Sequence, residues 1–243
     1  MKLSIVTCTL NSEKYLEESI RSVREQHYPD IEYLFVDGGS TDRTLDIIRS
    51  TAGPHRLLRD EAGGPAAAMN VGWRAAQGDI VTFLPADDRY VDAQAVQVAM
   101  AGLRLSGRRW GYGRIREQIG DRLFDEDYTA PWYSRVARIA ANFGPFQATL
   151  IARDLLAECG PFGEHWQYAA GYDMALRLGA RARPCEFHRP LTVFRRHAGS
   201  ASTARPFPAF REEYQVRCHH LRSPVLRWMH GVVFEWRTEQ LFC

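Results

Sequence analysis

The sequence lacks the features that mark several large protein classes. Lys2 and Lys14 are the only lysines among 31 basic residues, so arginine carries almost all of the positive charge. A formal net charge of +2 gives no reason to expect nucleic acid as a partner. Neither a Walker A motif nor a GxGxxG fingerprint is present, so kinases and dinucleotide-dependent dehydrogenases have no support.

Cysteine is also scarce, with five residues, an odd total and no CxxC pair. A structural zinc site and a disulfide framework are therefore both disfavoured, and a reducing compartment fits best. The sequence shows no signal peptide and no apolar run of about 18 residues. We expect a cytoplasmic protein, with any contact to the inner face of the membrane being peripheral.

The first third of the chain alternates between strand-like and helix-like patterns. Short runs rich in β-branched and aromatic residues are typical of buried strands, and they occupy residues 3–9, 31–36, 56–59 and 80–84. Amphipathic stretches lie between them. This alternation predicts an α/β fold with a mostly parallel, Rossmann-like central sheet and crossover helices.

Two adjacent carboxylates, Asp87 and Asp88, follow the fourth predicted strand after Pro85 and Ala86. Proline ends the strand, so both acids lie at its carboxyl edge, where open α/β sheets bind ligands. Like charges this close repel each other unless a cation or a proton lies between them. The pair therefore indicates a divalent metal site for a phosphorylated substrate, or a simple turn with solvated aspartates.

The second half of the chain has a different pattern. It predicts a hairpin over 110–116 and 119–124, a helix over 131–141, a strand over 147–152, a helix over 171–181 and a strand over 191–194. Two final helices are separated at Ser223-Pro224. We divide the chain into a domain over 1–205 and a helical extension over 206–243, packed on the domain, a partner subunit or a membrane surface.

Several motifs follow one another in a recognisable order. The main ones are Ser4-Ile5-Val6-Thr7-Cys8-Thr9-Leu10-Asn11, Val36-Asp37-Gly38-Gly39-Ser40-Thr41-Asp42, Ala68-Met69-Asn70-Val71-Gly72, Phe83-Leu84-Pro85-Ala86-Asp87-Asp88, Tyr172-Asp173-Met174-Ala175-Leu176 and Phe194-Arg195-Arg196-His197. In this order, over about residues 3–202, the chain resembles the family 2 glycosyltransferases, whose fold is of the GT-A type. The fold, activity and site roles of that family become expectations here.

The resemblance implies a role for each matching residue. Thr9, Asn11 and Asp37 would hold the base and ribose of a nucleotide, with Gly64 and Asn70 also on the donor side. Asp87 would contact the ribose or assist a metal, whereas Asp88 would coordinate Mn²⁺ or Mg²⁺. His197 would complete the metal shell or close over the diphosphate. Arg196 would neutralise phosphate, and Asp173 would be the catalytic base.

Two of these residues also have a structural interpretation. Asp37 precedes Gly38-Gly39, a sequence typical of a turn. Asp173 lies near a predicted helix start, where the helix dipole favours an acid.

The family further implies an inverting, metal-dependent enzyme of the EC 2.4 class. It would move a sugar from a UDP-sugar or another NDP-sugar to a hydroxyl of a glycan or lipid-linked acceptor, in bacterial polysaccharide biosynthesis. A homodimer and a peripheral membrane contact are further expectations. The chain departs from the family at Ala62, Ala67 and Gly171, where relatives often carry acids.

Two alternatives stay open. Sugar-nucleotide pyrophosphorylases share the nucleotide-binding architecture, but they have a glycine-rich basic loop where this chain has Thr9-Leu10-Asn11-Ser12. A non-catalytic relative that binds a nucleotide sugar or a glycan is the other alternative. The retention of Asp37, Asp87, Asp88 and Asp173 together argues against it.

Overall fold

The computed structural model describes residues 1–60, 63–128, 145–200, 204–221 and 223–242. The helix predicted over 131–141 lies outside these ranges, as does the departure at Ala62. The described residues form nine strands and eight α-helices around one mixed sheet. The predicted α/β fold class is confirmed.

The nine strands run in the order β3-β2-β1-β4-β8-β6-β9-β5, with β7 paired to β6. Their bounds are β1 Leu3–Thr9, β2 Ile31–Asp37, β3 Arg56–Arg59, β4 Ile80–Phe83, β5 Arg89–Tyr90, β6 Trp110–Ile119, β7 Arg122–Tyr128, β8 Thr149–Ala152 and β9 Cys185–Arg196.

The helices cover both faces of this sheet. They are α1 Leu16–Arg24, α2 Thr44–Ser50, α3 Pro65–Ala75, α4 Ala95–Ser106, α5 Arg153–Cys159, α6 Ala170–Arg181, α7 Pro206–His220 and α8 Pro224–Phe242. The predicted break at Ser223-Pro224 separates α7 from α8, because proline has no N–H to donate to a preceding helical turn.

The first half of the sheet is parallel, as the alternating pattern predicts. β1 pairs with both β2 and β4, and β2 pairs with β3, each in parallel register. Parallel pairing brings the carboxyl ends of β1, β2 and β4 to one edge. Gly72 lets α3 lie close to this sheet, since a Cβ there would come within 2.3 Å of Val6 Cγ1.

The second half of the sheet is mixed. β8 is antiparallel to both β4 and β6, whereas β6 and β9 are parallel. β9 runs over 185–196 and is therefore longer than the strand predicted over 191–194. Its early residues alternate polar and apolar without a continuous apolar run, and pairing with β6 holds them in the sheet.

The helix α7 shares the core of the domain. Val216 is fully buried in the same cluster as Val6, Phe83 and Phe162. The helix α7 therefore packs on the domain, as one of the predicted positions of the extension requires. The predicted boundary at residue 205 itself stays a prediction. Among the described residues, no helix is long and apolar enough to cross a membrane.

Candidate active site

The ends of β1 and β2 are tied together by the carboxylate of Asp37. Its Oδ1 accepts hydrogen bonds from Thr9 Oγ1 at 2.9 Å and Ser40 Oγ at 2.5 Å. Its Oδ2 accepts from the backbone N–H groups of Gly39 and Ser40, both at 2.9 Å. Burial alone raises the pKa of Asp37, but these bonds outweigh it and lower the pKa below its ordinary value. With four donors satisfied, Asp37 fixes the turn, as its structural interpretation predicted.

Asn11 connects the same two strand ends at the surface. Its Oδ1 accepts a hydrogen bond from the backbone N–H of Thr41 at 2.9 Å, and its own N–H donates to Ser40 Oγ at 2.9 Å. Asn11 has a φ of 49°, a left-handed conformation that asparagine tolerates better than most residues. Asn11 is exposed whereas Thr9 and Asp37 are buried, so it is the member of this group that a ligand can reach.

Asp87 and His197 meet at the edge beyond β4 and β9. The distance from His197 Nε2 to Asp87 Oδ2 is 3.0 Å, and both side chains are partly exposed, at 23% and 30%. His197 Nδ1 accepts the N–H of Gly199 at 3.1 Å. The His197 ring also lies 4.9 Å from the Tyr15 ring. The structure therefore brings together one predicted metal ligand and one predicted ribose or metal contact.

Asp88 has a very different environment from its neighbour. It is only 1% exposed, and its Oδ1 accepts the backbone N–H of Arg195 at 2.9 Å. Its Oδ2 is buried and finds no hydrogen-bond donor among the described residues. Burial, and then the charge of Asp87, raise the pKa of Asp88 well above its ordinary value. Asp88 thus links β4 to β9 and is shielded from the surface.

The two arginines at the end of β9 point to opposite faces, because strand side chains alternate. Arg195 is buried, bonds Glu18 Oε2 at 2.5 Å and lies over the Tyr15 ring at 4.3 Å. Arg196 is exposed and lies 3.5 Å from Glu117. Arg196 can reach a phosphate only by leaving that weak ion pair.

The Asp87–His197 pair fits a divalent cation in its donor chemistry. Carboxylate oxygen and imidazole nitrogen are common ligands for Mn²⁺, and Mg²⁺ is often held by one or two carboxylates plus substrate phosphates. Within the described ranges, no group of three or more His, Cys, Asp and Glu side chains could hold a metal. The two residues would therefore need diphosphate oxygens and water to complete a coordination shell.

Asn70, which the sequence predicts on the donor side, is buried and hydrogen-bonded inside the fold. It is 1% exposed, and its Nδ2 donates to Phe162 O at 3.0 Å and Glu164 Oε1 at 2.9 Å. Its Oδ1 accepts from Phe162 N–H at 2.8 Å and Trp73 Nε1 at 3.2 Å. These four bonds use all the hydrogen-bonding capacity of the amide. The four bonds give Asn70 a structural role, and its place on the donor side stays a prediction.

The start of α3 carries two other positions of interest. Gly64 has a φ of 100°, and no atom of the described residues lies within 4 Å of where its Cβ would be, its chain neighbours left aside. Ala67, where relatives often have an acid, is 97% buried. Only Gly64 of these two is placed where a ligand could approach the backbone.

Asp173 lies in the first turn of α6 and is held by two cationic or polar partners. Its Oδ2 bonds Arg177 Nη2 at 2.7 Å, and its Oδ1 bonds His220 Nε2 at 2.7 Å. Burial alone raises the pKa of Asp173, but the bond from His220 and the charge of Arg177 outweigh it and lower the pKa. Asp173 is 6% exposed. Each oxygen keeps one lone pair for a further donor.

Sequence reasoning missed His220 and Glu212 on α7. Glu212 accepts the N–H groups of Gln167, Tyr168 and Ala169 at 2.7 to 3.0 Å, just before α6 begins. The sequence offered no signal for either contact, since 47 residues separate His220 from Asp173. Arg177, four residues after Asp173, was recoverable from helical spacing.

A chain of aromatic contacts connects α6 to the end of β4. A Cβ at Gly171 would lie 2.8 Å from Phe146 Cγ, so Phe146 fills the space that an acid at this position would need. Phe146 stacks on Phe83, the last residue of β4, with ring centroids 5.5 Å apart. Phe146 therefore connects the first turn of α6 to Phe83, which lies four residues before Asp87 in the sequence.

Comparison of the sequence with known proteins identifies the family of the chain. The family model described as Glycosyl transferase family 2 matches residues 4–142. An uncharacterised glycosyltransferase of Mycobacterium tuberculosis is 29% identical over 228 residues, which cover 91% of this chain and 85% of that protein. The poly(ribitol-phosphate) β-N-acetylglucosaminyltransferase TarS of Staphylococcus aureus is 36% identical over 107 residues, 42% of this chain and 18% of TarS.

Solved structures show the same fold. The structure of S. aureus TarS in complex with UDP-GlcNAc aligns over 99% of this chain and 73% of that one, with a TM-score of 0.74 and 21% identity. The mannosyltransferase PcManGT from Pyrobaculum calidifontis, in complex with GDP-Man and Mn²⁺, aligns over 96% of this chain and 69% of that one, with a TM-score of 0.68 and 17% identity.

Proposed function

Because the chain belongs to glycosyl transferase family 2 and is a glycosyltransferase, we propose that it uses a nucleotide-sugar donor with a divalent metal. The observation that carries the proposal is the contact between Asp87 and His197 at the carboxyl edge of β4. The complexes of TarS with UDP-GlcNAc and of PcManGT with GDP-Man and Mn²⁺ lend support from proteins of the same fold.

We assign the metal to Asp87 and His197, which revises the expectation that Asp88 is the ligand. Asp87 is partly exposed and lies beside His197, which would bind the same cation, whereas Asp88 is 99% buried and already bonded to the Arg195 N–H. A bound Mn²⁺ or Mg²⁺ would offset the charge that develops on the diphosphate as it leaves. Asp88 would then support the metal site indirectly. Its bond to the Arg195 N–H fixes the end of β9, which is followed by His197.

The nucleotide would lie along the ends of β1 and β2. Thr9 and Asp37 hold the turn that presents Asn11, and Asn11 is the exposed polar group of this set. We infer that Asp37 acts on the nucleotide through this turn, because its oxygens are already occupied. The open backbone at Gly64 and the exposed Arg196 are the further candidates for donor contacts.

For the acceptor we retain Asp173 as the catalytic base. The acceptor hydroxyl would pass its proton to a carboxylate oxygen of Asp173 as its own oxygen bonds the anomeric carbon. The bond from that carbon to the diphosphate breaks, with inversion as the family resemblance implies. Arg177 and His220 would keep the carboxylate ionised and fixed in orientation.

A bacterial polysaccharide or lipid-linked glycan is the acceptor class that we propose. The names of similar proteins point in this direction, since they include TarS, a putative teichuronic acid biosynthesis glycosyltransferase of Bacillus subtilis and an O-antigen biosynthesis protein of Myxococcus xanthus. A cytoplasmic site of action, where nucleotide sugars are made, completes the proposal.

A thermal-shift series with UDP, GDP and their sugars, with and without Mn²⁺, tests the proposal. We expect one nucleotide to raise Tm only when Mn²⁺ is present, and the same nucleotide sugar to be hydrolysed slowly. Asp87→Asn should remove the Mn²⁺-dependent part of the shift. Equal shifts in chelator would contradict the metal assignment. Binding of a nucleotide sugar with no turnover on any acceptor would favour the non-catalytic alternative. In that case the bonds from Arg177 and His220 to Asp173 would serve the fold alone.

A further inference from the structure

The helix α8 exposes a continuous apolar surface that no part of the described chain covers. Seven of its large apolar side chains are 46% to 70% exposed: Val225, Leu226, Trp228, Met229, Val232, Val233 and Trp236. At 3.6 residues per turn they span an arc of about 160° on one side of the helix. We call this set the α8 stripe. A contiguous apolar surface of this extent is typical of an interaction site.

The opposite side of α8 is already packed against α7. The ring of Phe234 stacks on Tyr214 and Phe210, with centroids 4.3 and 5.2 Å away. Arg227, also on this side, donates from its Nε to Leu221 O at 2.6 Å. The α8 stripe is therefore a second apolar face on the same helix. A helix that is apolar on both faces is normally buried on both faces.

The α8 stripe has the size of a stable protein interface. Seven side chains at roughly 100 Å² each present roughly 700 Å² of surface. A standard protein–protein interface takes about 800 Å² from each partner. Its composition also fits, because Trp and Met are enriched in interface centres. A 19-residue helix is about 28 Å long, enough for several turns of contact.

The residues of the stripe and the charges beside it bear on whether a second copy of the chain or a membrane covers it. In a twofold interface each residue near the axis meets its own copy, so a charged residue there would face a like charge. All seven positions of the α8 stripe are uncharged. A membrane-surface helix instead carries Lys or Arg beside its apolar face. At one edge of this stripe lies exposed Glu235, and exposed Arg227 donates from its Nε to Leu221 O on the other side of the helix. Helical spacing places Arg237 near the other edge, so a vesicle-binding measurement separates the two occupants.

We propose that the α8 stripe is the interface of a homodimer, in which two copies of α8 pack across a twofold axis. Each copy supplies a helical hairpin of α7 and α8, so the pair forms a bundle of four helices. This surface is independent of the proposed reaction, since it requires neither the donor nor the metal.

Light scattering of the full-length chain after size exclusion tests the proposal. The wild type at about 10 µM should have twice the mass of one chain. Met229→Glu would set two carboxylates against each other near the axis, and we expect the dimer dissociation constant to rise at least 100-fold. Leu105→Glu is the matched control: Leu105 is 84% exposed on α4, away from the stripe, and should remain dimeric.

Two further measurements keep the outcome clear. Circular dichroism should show that Met229→Glu retains its helices, since Met229 is exposed in one copy. Flotation with vesicles of phosphatidylcholine and phosphatidylglycerol should leave the wild type unbound. A monomeric wild type that floats, and a Met229→Glu variant that does not, would overturn the dimer in favour of a membrane contact. A dimer that persists in Met229→Glu would overturn the α8 stripe as the interface.

Discussion

The turns after β2 and β4 both carry aspartates at the same edge of the sheet, yet the two turns use them in opposite ways. At the end of β2, Asp37 is 99% buried and accepts four hydrogen bonds from its own turn and from Thr9. After β4, Asp87 is 30% exposed, and within the described ranges its side chain hydrogen-bonds His197. A carboxylate whose acceptors are all occupied holds a fold together, whereas one with free acceptors can bind a ligand. Hydrogen-bond capacity therefore separates the two sites better than residue type does.

The largest effect should come from the β4 turn. Asp87→Asn removes one of two proposed metal ligands and should lower transfer about 1,000-fold or more, as should a chelator on the wild type. With chelator present, the Tm of Asp87→Asn should stay within about 2 °C of that of the wild type. A partly exposed side chain that bonds His197 contributes little stability. Turnover assays and thermal unfolding measure both. Full activity in EDTA would remove the metal from the reaction.

Asp173 stands between the two extremes, since it has two partners but keeps one lone pair on each oxygen. Asp173→Asn should lower kcat about 100- to 1,000-fold, as expected for loss of a general base. The dissociation constant for the nucleotide with Mn²⁺ should change less than about threefold. Near-normal kcat would exclude Asp173 as the base, and Asp154→Asn, at an exposed position of α5, is a control for loss of a surface charge.

A substitution in the turn after β2 should lower the stability of the protein. An asparagine at position 37 cannot accept all four hydrogen bonds, so Asp37→Asn should lower the free energy of unfolding by about 2 to 3 kcal/mol, roughly 5 to 10 °C in Tm. Because the folded pKa of Asp37 lies below its unfolded value, its contribution is present above about pH 4 and is lost as the pH falls through the folded pKa.

Thermal unfolding between pH 7 and pH 3 measures this linkage. The wild type should lose stability toward pH 3 more steeply than Asp37→Asn, with or without Mn²⁺. An Asp37→Asn variant as stable as the wild type, but unable to bind nucleotide, would place Asp37 in direct contact with the donor.

His220 offers a smaller test of positioning. His220→Ala removes the donor to Asp173 Oδ1 and should lower kcat about tenfold while KM for the donor is unchanged. His220→Gln keeps an N–H donor and should recover part of the loss. A fall in Tm without any change in kcat would make the contact purely structural.

The smallest effect on activity should come from Asp88→Asn, although its neighbour Asp87 should be the most sensitive position. Asparagine keeps a carbonyl oxygen for the Arg195 N–H, so activity should stay within about threefold of the wild type. Asp88→Ala removes that acceptor and should cost about 1 to 3 kcal/mol of stability. Loss of all activity in Asp88→Asn, with Asp87→Asn active, would restore Asp88 as the metal ligand.

The sequence predicted the architecture well because its signals are local. Four apolar runs separated by amphipathic stretches predict parallel strands with crossover helices, and the structure contains β1 to β4 within one residue of the expected ranges. The helix break at Ser223-Pro224 followed from proline chemistry. The beginning of β9 was missed, because pairing with β6 rather than local apolarity keeps residues 185–190 in the sheet.

The candidate site was predicted only in outline. The order of motifs identified Asp37, Asp87, Asp88, Asp173 and His197 as the residues to inspect. Their individual environments depend on partners far along the chain: Arg195 lies 107 residues from Asp88, and His220 lies 47 residues from Asp173. Asn70 belongs to the same class, since its four hydrogen bonds reach Phe162 and Glu164 and make it a structural residue.

The sequence by itself determined the family, the alternation of strands and helices in the first half and the position of the acids at strand ends, because these follow from periodicity, turn residues and motif order. Only the tertiary structure decided which of these carboxylates are buried and hydrogen-bonded within the fold. Burial and hydrogen bonding are set by contacts between distant segments, and the pair Asp87-Asp88 is the plainest case. Two identical neighbours differ because β9 closes over Asp88 and leaves Asp87 facing His197 at the surface.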